Sequence, residues 1–260
     1  MNEQTFSDIA AVYHSSRPEM PKQASMFIQN YLGHEIHTLI DLGCGSGLSS
    51  IPWCESCEQV IGIDPNEEML KIARGIFKDN LSFRQGFGSD TGLPEGSADA
   101  VVCSQSFHWM EPDATLKEIH RILAKGGVFA AIDYDWPPVS HWELERCFEE
   151  LYSSAKETVR KQQAEKQTFA RWDKSQHLSR IQQSALFRYS REILFSSEES
   201  CTAKRLYQMA LSQSWIDTAL KIAPDRIQPQ LDRYRQLMEE FYGDASFPIT
   251  FCYRMRIAVK

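Results

Sequence analysis

The chain has 260 residues, of which 42% are hydrophobic, and this globular composition excludes disorder and fibrous repeats. Its 35 acidic residues outnumber its 28 lysines and arginines, giving a net charge of -7, which argues against a nucleic-acid partner and favours a small molecule. No basic, apolar leader opens the sequence and no run of 18 apolar residues occurs. We therefore expect a cytoplasmic protein without membrane association.

Short runs rich in β-branched residues alternate with helical patterns between residues 38 and 133, which predicts βαβ units and a parallel sheet. The predicted strands are 38–41, 60–64, 81–84, 98–103 and 128–133, followed by 185–195 and 247–259. Predicted helices cover 21–32, a segment capped by Asn66, and a segment after Asp113 that Gly126 and Gly127 would end. Two further helical regions, about 136–184 and 198–242, the latter interrupted by Pro224 and Pro229, are insertions into this core.

A glycine-rich segment, Asp41-Leu-Gly-Cys-Gly-Ser-Gly47, follows the first predicted strand and precedes a predicted helix. Glycines there let a ligand approach the backbone closely, and a helix N-terminus would attract a carboxylate or phosphate. The alternative is an ordinary tight turn between strand and helix.

Asp64 ends the second predicted strand, where one carboxylate can hold both hydroxyls of a ribose. The pattern as a whole predicts a nucleoside cofactor, either NAD or S-adenosylmethionine. The dinucleotide fingerprint needs glycine where this chain has Leu48, which favours S-adenosylmethionine.

Four segments in the expected order resemble the motifs of class I S-adenosylmethionine-dependent methyltransferases: Asp41 to Gly47, Ile63 to Asn66, Leu93 to Asp99, and Leu123 to Gly127. Ser104-Gln-Ser-Phe-His-Trp109 and the segment Phe6 to Pro18 are similar to segments of the trans-aconitate methyltransferase-like subgroup. The resemblance implies a Rossmann-like α/β fold with a seven-stranded, mostly parallel sheet whose last strand is antiparallel. It also implies one domain over residues 1–260, with a cofactor-binding core at 36–135, helical cap insertions, and a final strand at 247–259.

The resemblance further implies an enzyme that transfers a methyl group in line to a small molecule, a carboxylic acid or another oxygen or nitrogen acceptor. Implied cofactor contacts are Tyr13, Arg17, Asp41, Gly43, Gly45, Gly47, Asp64, Pro65, Met69, Ser89, Asp90, Ser104 and Gln105. His108 is a candidate general base or a wall of the pocket, and Trp109, Trp136 and Trp215 are candidate substrate contacts.

Two other functions stay open, namely an NAD(P)-dependent oxidoreductase and a non-catalytic module that binds S-adenosylmethionine. Cys54 and Cys57 form a CxxC pair, but no second pair would complete four ligands, so we expect no metal. The protein is expected to be a monomer or a homodimer.

Overall fold

The computed structural model describes residues 17–163 and 172–260. A seven-stranded sheet with the order β3-β2-β1-β4-β5-β7-β6 organises this part of the chain. Its strands are β1 Ile36–Leu42, β2 Cys57–Asp64, β3 Leu81–Gln85, β4 Ala98–Ser104, β5 Leu123–Tyr134, β6 Tyr189–Cys201 and β7 Phe247–Val259. The α-helices are α1 Lys22–Leu32, α2 Glu67–Ala73, α3 Pro112–Ile122, α4 Trp142–Gln163, α5 His177–Gln183, α6 Ala203–Leu211, α7 Ser214–Ile222 and α8 Pro224–Tyr242.

Strands β1 to β5 are parallel, and β7 runs antiparallel to β5, which confirms the predicted Rossmann-like fold class. Because β3, β2, β1 and β4 are neighbours, their carboxyl ends lie along one edge of the sheet. Open α/β sheets bind their ligands outside this edge. The residues predicted from the glycine-rich segment, the second strand and the fourth strand therefore meet there.

The chain divides into two compact units. One contains residues 19–134, 172–195 and 253–260, and its core is formed by β4, β5 and the apolar face of α3, including Val101, Phe129, Leu116 and Ile119. The other contains residues 17–18, 135–163 and 196–252. Within it α4, α7 and α8 pack together, and the ring of Phe148 lies 5.9 Å from the ring of Tyr234.

Three local predictions are wrong, each for a physical reason. The segment after β1 forms turns and a short 3-10 helix, Ile51–Glu55, instead of an α-helix, because serine hydroxyls in the turn bond back to the strand. Gly126 and Gly127 do not end the third helix: α3 stops at Ile122, and Leu123 is already extended and buried in β5. Pro229 lies inside α8 without interrupting it. The interruption at Pro224 is present, because α7 ends at Ile222 and α8 begins at Pro224, a position that tolerates proline.

Candidate functional site

Asp41 is a fully buried carboxylate at the carboxyl end of β1. Its Oδ2 accepts hydrogen bonds from the hydroxyls of Ser49 at 2.6 Å and Ser50 at 2.7 Å. Its Oδ1 is also buried and has no hydrogen-bond partner among the described residues. Burial raises the pKa of the Asp41 carboxyl to about 6, and the nearby charge of Asp64 adds to the increase. A buried oxygen without a donor fits a ligand that brings a cation or an N–H group.

Two glycines of the turn after β1 are required by packing. Gly43 and Gly47 have φ values of 77° and 83°, in the left-handed region that favours glycine. A Cβ on Gly43 would lie 2.6 Å from the Cβ of Ser106, and a Cβ on Gly47 would lie 2.6 Å from Cζ of Phe83. Side chains of the protein itself therefore occupy the space beside both positions.

Gly45 differs because a Cβ there would meet only one atom within 4 Å, at an ordinary contact distance. Its φ is 55°, and the nearest atom to a Cβ added there would be Cε of Met69 at 3.6 Å. Oδ2 of Asp64 accepts a hydrogen bond from the Gly45 N–H at 2.8 Å, and Oδ1 accepts one from the Asn66 N–H at 2.9 Å. The Asn66 side chain caps α2, as predicted, and Pro65 is exposed between them. Asp64 thus connects the turn at residues 43–47, the glycine turn, to the start of α2 by hydrogen bonds.

Ser89 and Asp90 lie on an exposed turn after β3. The next residue, Thr91, donates its N–H at 2.8 Å and its hydroxyl at 2.6 Å to Glu118 Oε1. The guanidinium of Arg121 donates to Glu118 Oε2 at 2.7 Å. The Arg121 hydrogen bond, with those from Thr91, lowers the pKa of the buried Glu118 carboxyl to about 2. This ionised carboxylate anchors the Ser89 and Asp90 turn to α3.

Ser104 is the last residue of β4, and Gln105 follows it. The Gln105 N–H donates to the carbonyl of Ile132 on β5 at 2.9 Å, and its backbone has a φ of 56°, which is uncommon outside glycine and asparagine. The Ser104 hydroxyl and the Gln105 Nε2 are buried without a partner among the described residues. This end of β4 therefore presents two polar groups that a ligand can satisfy.

His108 and Trp109 lie on the short 3-10 helix that comes next, Phe107–Trp109. His108 is buried, whereas the Trp109 side chain is 49% exposed. Their rings are 5.1 Å apart, and the Trp172 N–H donates to the His108 carbonyl at 2.9 Å. Burial and contact with an aromatic ring are compatible with His108 as a general base and with His108 as part of the pocket wall. Both roles stay predictions.

A polar cluster at the end of β5 was not predicted. Asp133 Oδ1 lies 2.8 Å from Nζ of Lys174, and its Oδ2 lies 2.8 Å from Nη1 of Arg256. Lys174 Nζ also donates to Gln105 Oε1 at 2.6 Å. His177 Nε2 lies 3.9 Å from Asp133 Oδ2, and burial lowers the pKa of His177 to about 4. The position of Asp133 near the end of a strand, like the positions of Asp41 and Asp64, could have identified it from the sequence. No sequence pattern marks Lys174.

The remaining predicted residues lie elsewhere. Arg17 and Trp136 belong to the second unit, where the guanidinium lies 5.8 Å from the tryptophan ring centroid and Nη2 donates to the Ser212 carbonyl at 2.9 Å. Trp215 is half-buried on α7. Tyr13 lies outside the described residues. The roles of these four residues toward cofactor and substrate stay predictions.

The described part of the chain contains neither a metal-binding cluster nor a membrane-spanning helix. Within residues 17–163 and 172–260, no group of three or more His, Cys, Asp or Glu side chains could hold a metal ion. Cys54 lies in the 3-10 helix and Cys57 begins β2, and burial raises the pKa of the Cys57 thiol to about 12. No helix in the same part of the chain is long and apolar enough to cross a membrane.

Residues 40–131 match the family model described as a methyltransferase domain. The chain is 33% identical over 151 residues to an uncharacterized methyltransferase of Schizosaccharomyces pombe, covering 55% of this chain and 60% of that protein. It is 29% identical over 123 residues to an uncharacterized methyltransferase of Mycobacterium tuberculosis, covering 47% of this chain and 49% of that protein. The chain thus spans between half and three fifths of the length of these curated relatives.

A solved structure described as a candidate type II methyltransferase from Anaeromyxobacter dehalogenans superposes with a TM-score of 0.68 at 20% identity, covering 94% of this chain and 97% of that one. At this identity the superposition establishes the fold. The residues that match the methyltransferase-domain model include the glycine turn, Asp64 and the end of β4.

Proposed function

We propose, from the match of residues 40–131 to a methyltransferase-domain model, that the protein is an enzyme that uses S-adenosylmethionine to methylate a small molecule. The observation that carries this proposal is that the buried Asp41 carboxylate and the exposed side of Gly45 lie in the same strand-to-turn segment. A buried carboxylate oxygen without a donor stands at the strand end that leads into a turn whose middle glycine would accept a Cβ with one ordinary contact, at 3.6 Å from Met69. Both features fit a ligand that packs against backbone and carries a cation.

The residues at this edge fit the parts of S-adenosylmethionine. The Gly45 backbone would lie against the methionine portion, and Oδ1 of Asp41 would accept from its ammonium group. Asp64 already accepts two backbone N–H groups, but each carboxylate oxygen has a second lone pair with which it would hold a ribose hydroxyl. Met69 lies beside Gly45 and would contact the cofactor there.

The other proposed cofactor contacts complete the set. Pro65, Ser89 and Asp90 would border the adenine, and Ser104 and Gln105 would face the cofactor from β4. Gly43 and Gly47 would shape the turn, since their side-chain space is already filled. Tyr13 and Arg17 are proposed to lie against the cofactor, and Trp109, Trp136 and Trp215 against the substrate.

The cofactor supplies an electrophilic methyl group on a sulfonium, so the protein needs mainly to bind, orient and exclude water. The proposed acceptors include carboxylic acids, because an ionised carboxylate can accept the methyl group without first losing a proton to a base. For a hydroxyl or amine acceptor, His108 would take the proton. The resemblance of residues 104–109 to the trans-aconitate methyltransferase-like subgroup supports a small acceptor, as does the acidic net charge of -7. A cytoplasmic location, as a monomer or homodimer, completes the proposal.

Calorimetry of the purified chain with S-adenosylmethionine, S-adenosylhomocysteine and NAD tests the cofactor assignment. We expect saturable binding of the first two compounds and none of NAD. Tight binding of NAD alone would replace the proposal with the oxidoreductase. A coupled assay for S-adenosylhomocysteine release over small carboxylates, phenols and amines then tests turnover, and cofactor binding without product from any acceptor would favour the non-catalytic module.

A further inference from the structure

The outward face of helices α4 and α8 carries a pattern that the proposed methyl transfer does not use. Both helices belong to the same compact unit. In order along α4, the contacts between them are Glu150 with Arg233 at 3.9 Å, Ser154 with Gln230 at 2.9 Å and Glu157 with Arg226 at 3.1 Å. Because residue numbers rise along α4 while they fall along α8, the two helices are antiparallel. One face of the unit therefore shows α4 and α8 side by side.

One exposed stripe runs along α4. Its residues recur every three or four positions, which places them on the same side of the helix. They are Trp142, Arg146, Glu149, Ser153, Lys156 and Arg160, and among them Lys156 alone is half-buried rather than exposed. Apolar residues between these positions, such as Phe148 and Leu151, are buried. The stripe thus faces away from the core of its own unit.

The unpaired charges on this face separate into an acidic half and a basic half. In the half where α4 begins and α8 ends, the exposed Glu149 and Glu240 have no cationic partner in the described part of the chain. In the other half, Lys156 and Arg160 have no carboxylate partner among residues 17–163 and 172–260. At 1.5 Å per residue, Glu149 and Arg160 are about 16 Å apart along the helix. Such a face is electrostatically complementary to a second copy of itself that runs in the opposite direction.

The two halves also differ in shape. In the acidic half the Trp142 side chain is 62% exposed, and Phe241 on α8 is 38% exposed. In the basic half a shallow groove is lined by Ser153, Lys156, Glu157, Arg160 and Lys161. The stems of lysine and arginine give such a groove apolar walls, and their cations attract the face of an aromatic ring. The exposed ring and a groove that suits it lie on the same stripe, as a self-complementary interface requires.

We propose that a second copy of this chain covers this face in a two-fold symmetric homodimer. The ring of Trp142 would lie in the groove of the other copy, over Arg160. The two-fold axis reverses the direction of α4, so the acidic half of each copy meets the basic half of the other, and every contact occurs twice. In this register Glu149 lies opposite Ser153 and within one helical turn of Lys156 in the other copy. The inference selects the homodimer over the monomer and does not depend on methyl transfer.

Sedimentation velocity of the purified chain tests whether it dimerises. We expect a mass twice that of one chain at about 50 mM salt, and a dissociation constant that rises at about 500 mM salt, where the Debye length is only about 4 Å. A chain that stays monomeric at about 100 µM in low salt would overturn the inference. That result would leave the face to a different partner and would leave the proposed methyl transfer standing.

Charge reversal in the two halves tests the antiparallel orientation. Lys156→Glu with Arg160→Glu makes both halves acidic, and Glu149→Lys with Glu240→Lys makes both halves basic. We expect each variant alone to dimerise at least about 10-fold more weakly, because like charges then meet twice, and an equimolar mixture of the two variants to form a heterodimer. Both variants keep a negative net charge, since two reversals change the chain's -7 by four, so attraction between oppositely charged chains does not explain association. A mixture that fails to associate, although circular dichroism shows both variants folded, would overturn the inference.

Trp142→Ala tests the aromatic contact. An exposed ring contributes little to the stability of its own unit, so the melting temperature should change little, whereas the dimer should dissociate at least about 10-fold more readily. The matched controls are exposed residues of the other unit and should dimerise as the wild type does: Phe77→Ala, at a ring that is 91% exposed, and Lys117→Glu combined with Lys125→Glu. Unchanged dimerisation of Trp142→Ala would place the interface on a different face and overturn the inference.

Discussion

Replacing Asp41 by asparagine tests whether ionisation of the buried carboxyl lowers the free energy of unfolding. The pKa of Asp41 is raised by burial from 3.8 to about 6, and each pKa unit corresponds to about 1.4 kcal/mol. The folded chain thus binds this proton more tightly than the unfolded chain does. The stability contribution of the protonated acid is fully present below pH 3.8 and is lost as the pH rises to about 6. The total loss is about 3 kcal/mol.

Asparagine mimics the protonated acid at every pH. The free energy of unfolding of Asp41→Asn, minus that of the wild type, should therefore increase by about 2 kcal/mol between pH 4 and pH 7 and stay constant above pH 7. Costs that do not depend on pH, such as an unpaired amide hydrogen, shift the whole difference curve without changing its shape. The measurement is urea unfolding followed by circular dichroism at half-unit intervals of pH.

The exposed Asp244 provides the matched control, because Asp244→Asn also removes one carboxylate. A difference curve for Asp41→Asn that is flat, or that falls as the pH rises, would refute the reasoning, as would an equal rise for Asp244→Asn. If the proposed ammonium contact exists, cofactor affinity of the wild type should also increase from pH 5 to pH 7, because the cation binds the ionised carboxylate. Asp41→Asn should bind more weakly and without this pH dependence.

Four further substitutions separate packing from binding. Glu118→Gln should lower the free energy of unfolding at pH 7 by about 1 to 3 kcal/mol because a buried, hydrogen-bonded charge is lost. Since the pKa of Glu118 is lowered to about 2, this loss of stability should shrink as the pH falls below 4.5. The measurement is urea unfolding, with Glu150→Gln, at an exposed residue, as the control. Gly45→Ala should cost about 1 to 2 kcal/mol for its left-handed backbone and weaken S-adenosylmethionine binding in calorimetry. Gly43→Ala should lower the melting temperature further, because its Cβ would also collide with a serine side chain, and equal melting temperatures for the two variants would contradict the distinction. Asp64→Ala should weaken cofactor binding by about 1 to 3 kcal/mol, and an unchanged Kd would show that Asp64 does not hold the ribose.

Local sequence patterns were sufficient for the elements whose signals are local. The seven strands, the Asn66 cap and the glycine turn follow from runs of β-branched residues, from one side chain that accepts backbone N–H groups, and from residues without a Cβ. The antiparallel direction of the last strand was expected only through resemblance to a family. The end of α3 was mispredicted because Leu123, although preceding two glycines, is drawn into β5 by burial and by pairing with Ala98.

The sequence by itself determined the fold class and the edge at which ligands are expected, because hydrophobic periodicity and strand-end polar residues can be recognised one segment at a time. Only the tertiary structure decided that a Cβ would collide with other side chains at Gly43 and Gly47 but not at Gly45, since that depends on what lies across from each glycine. It also decided that Lys174 reaches Asp133 and Gln105. Contacts between residues far apart in the chain depend on how the strands and helices pack, and no local pattern records that packing.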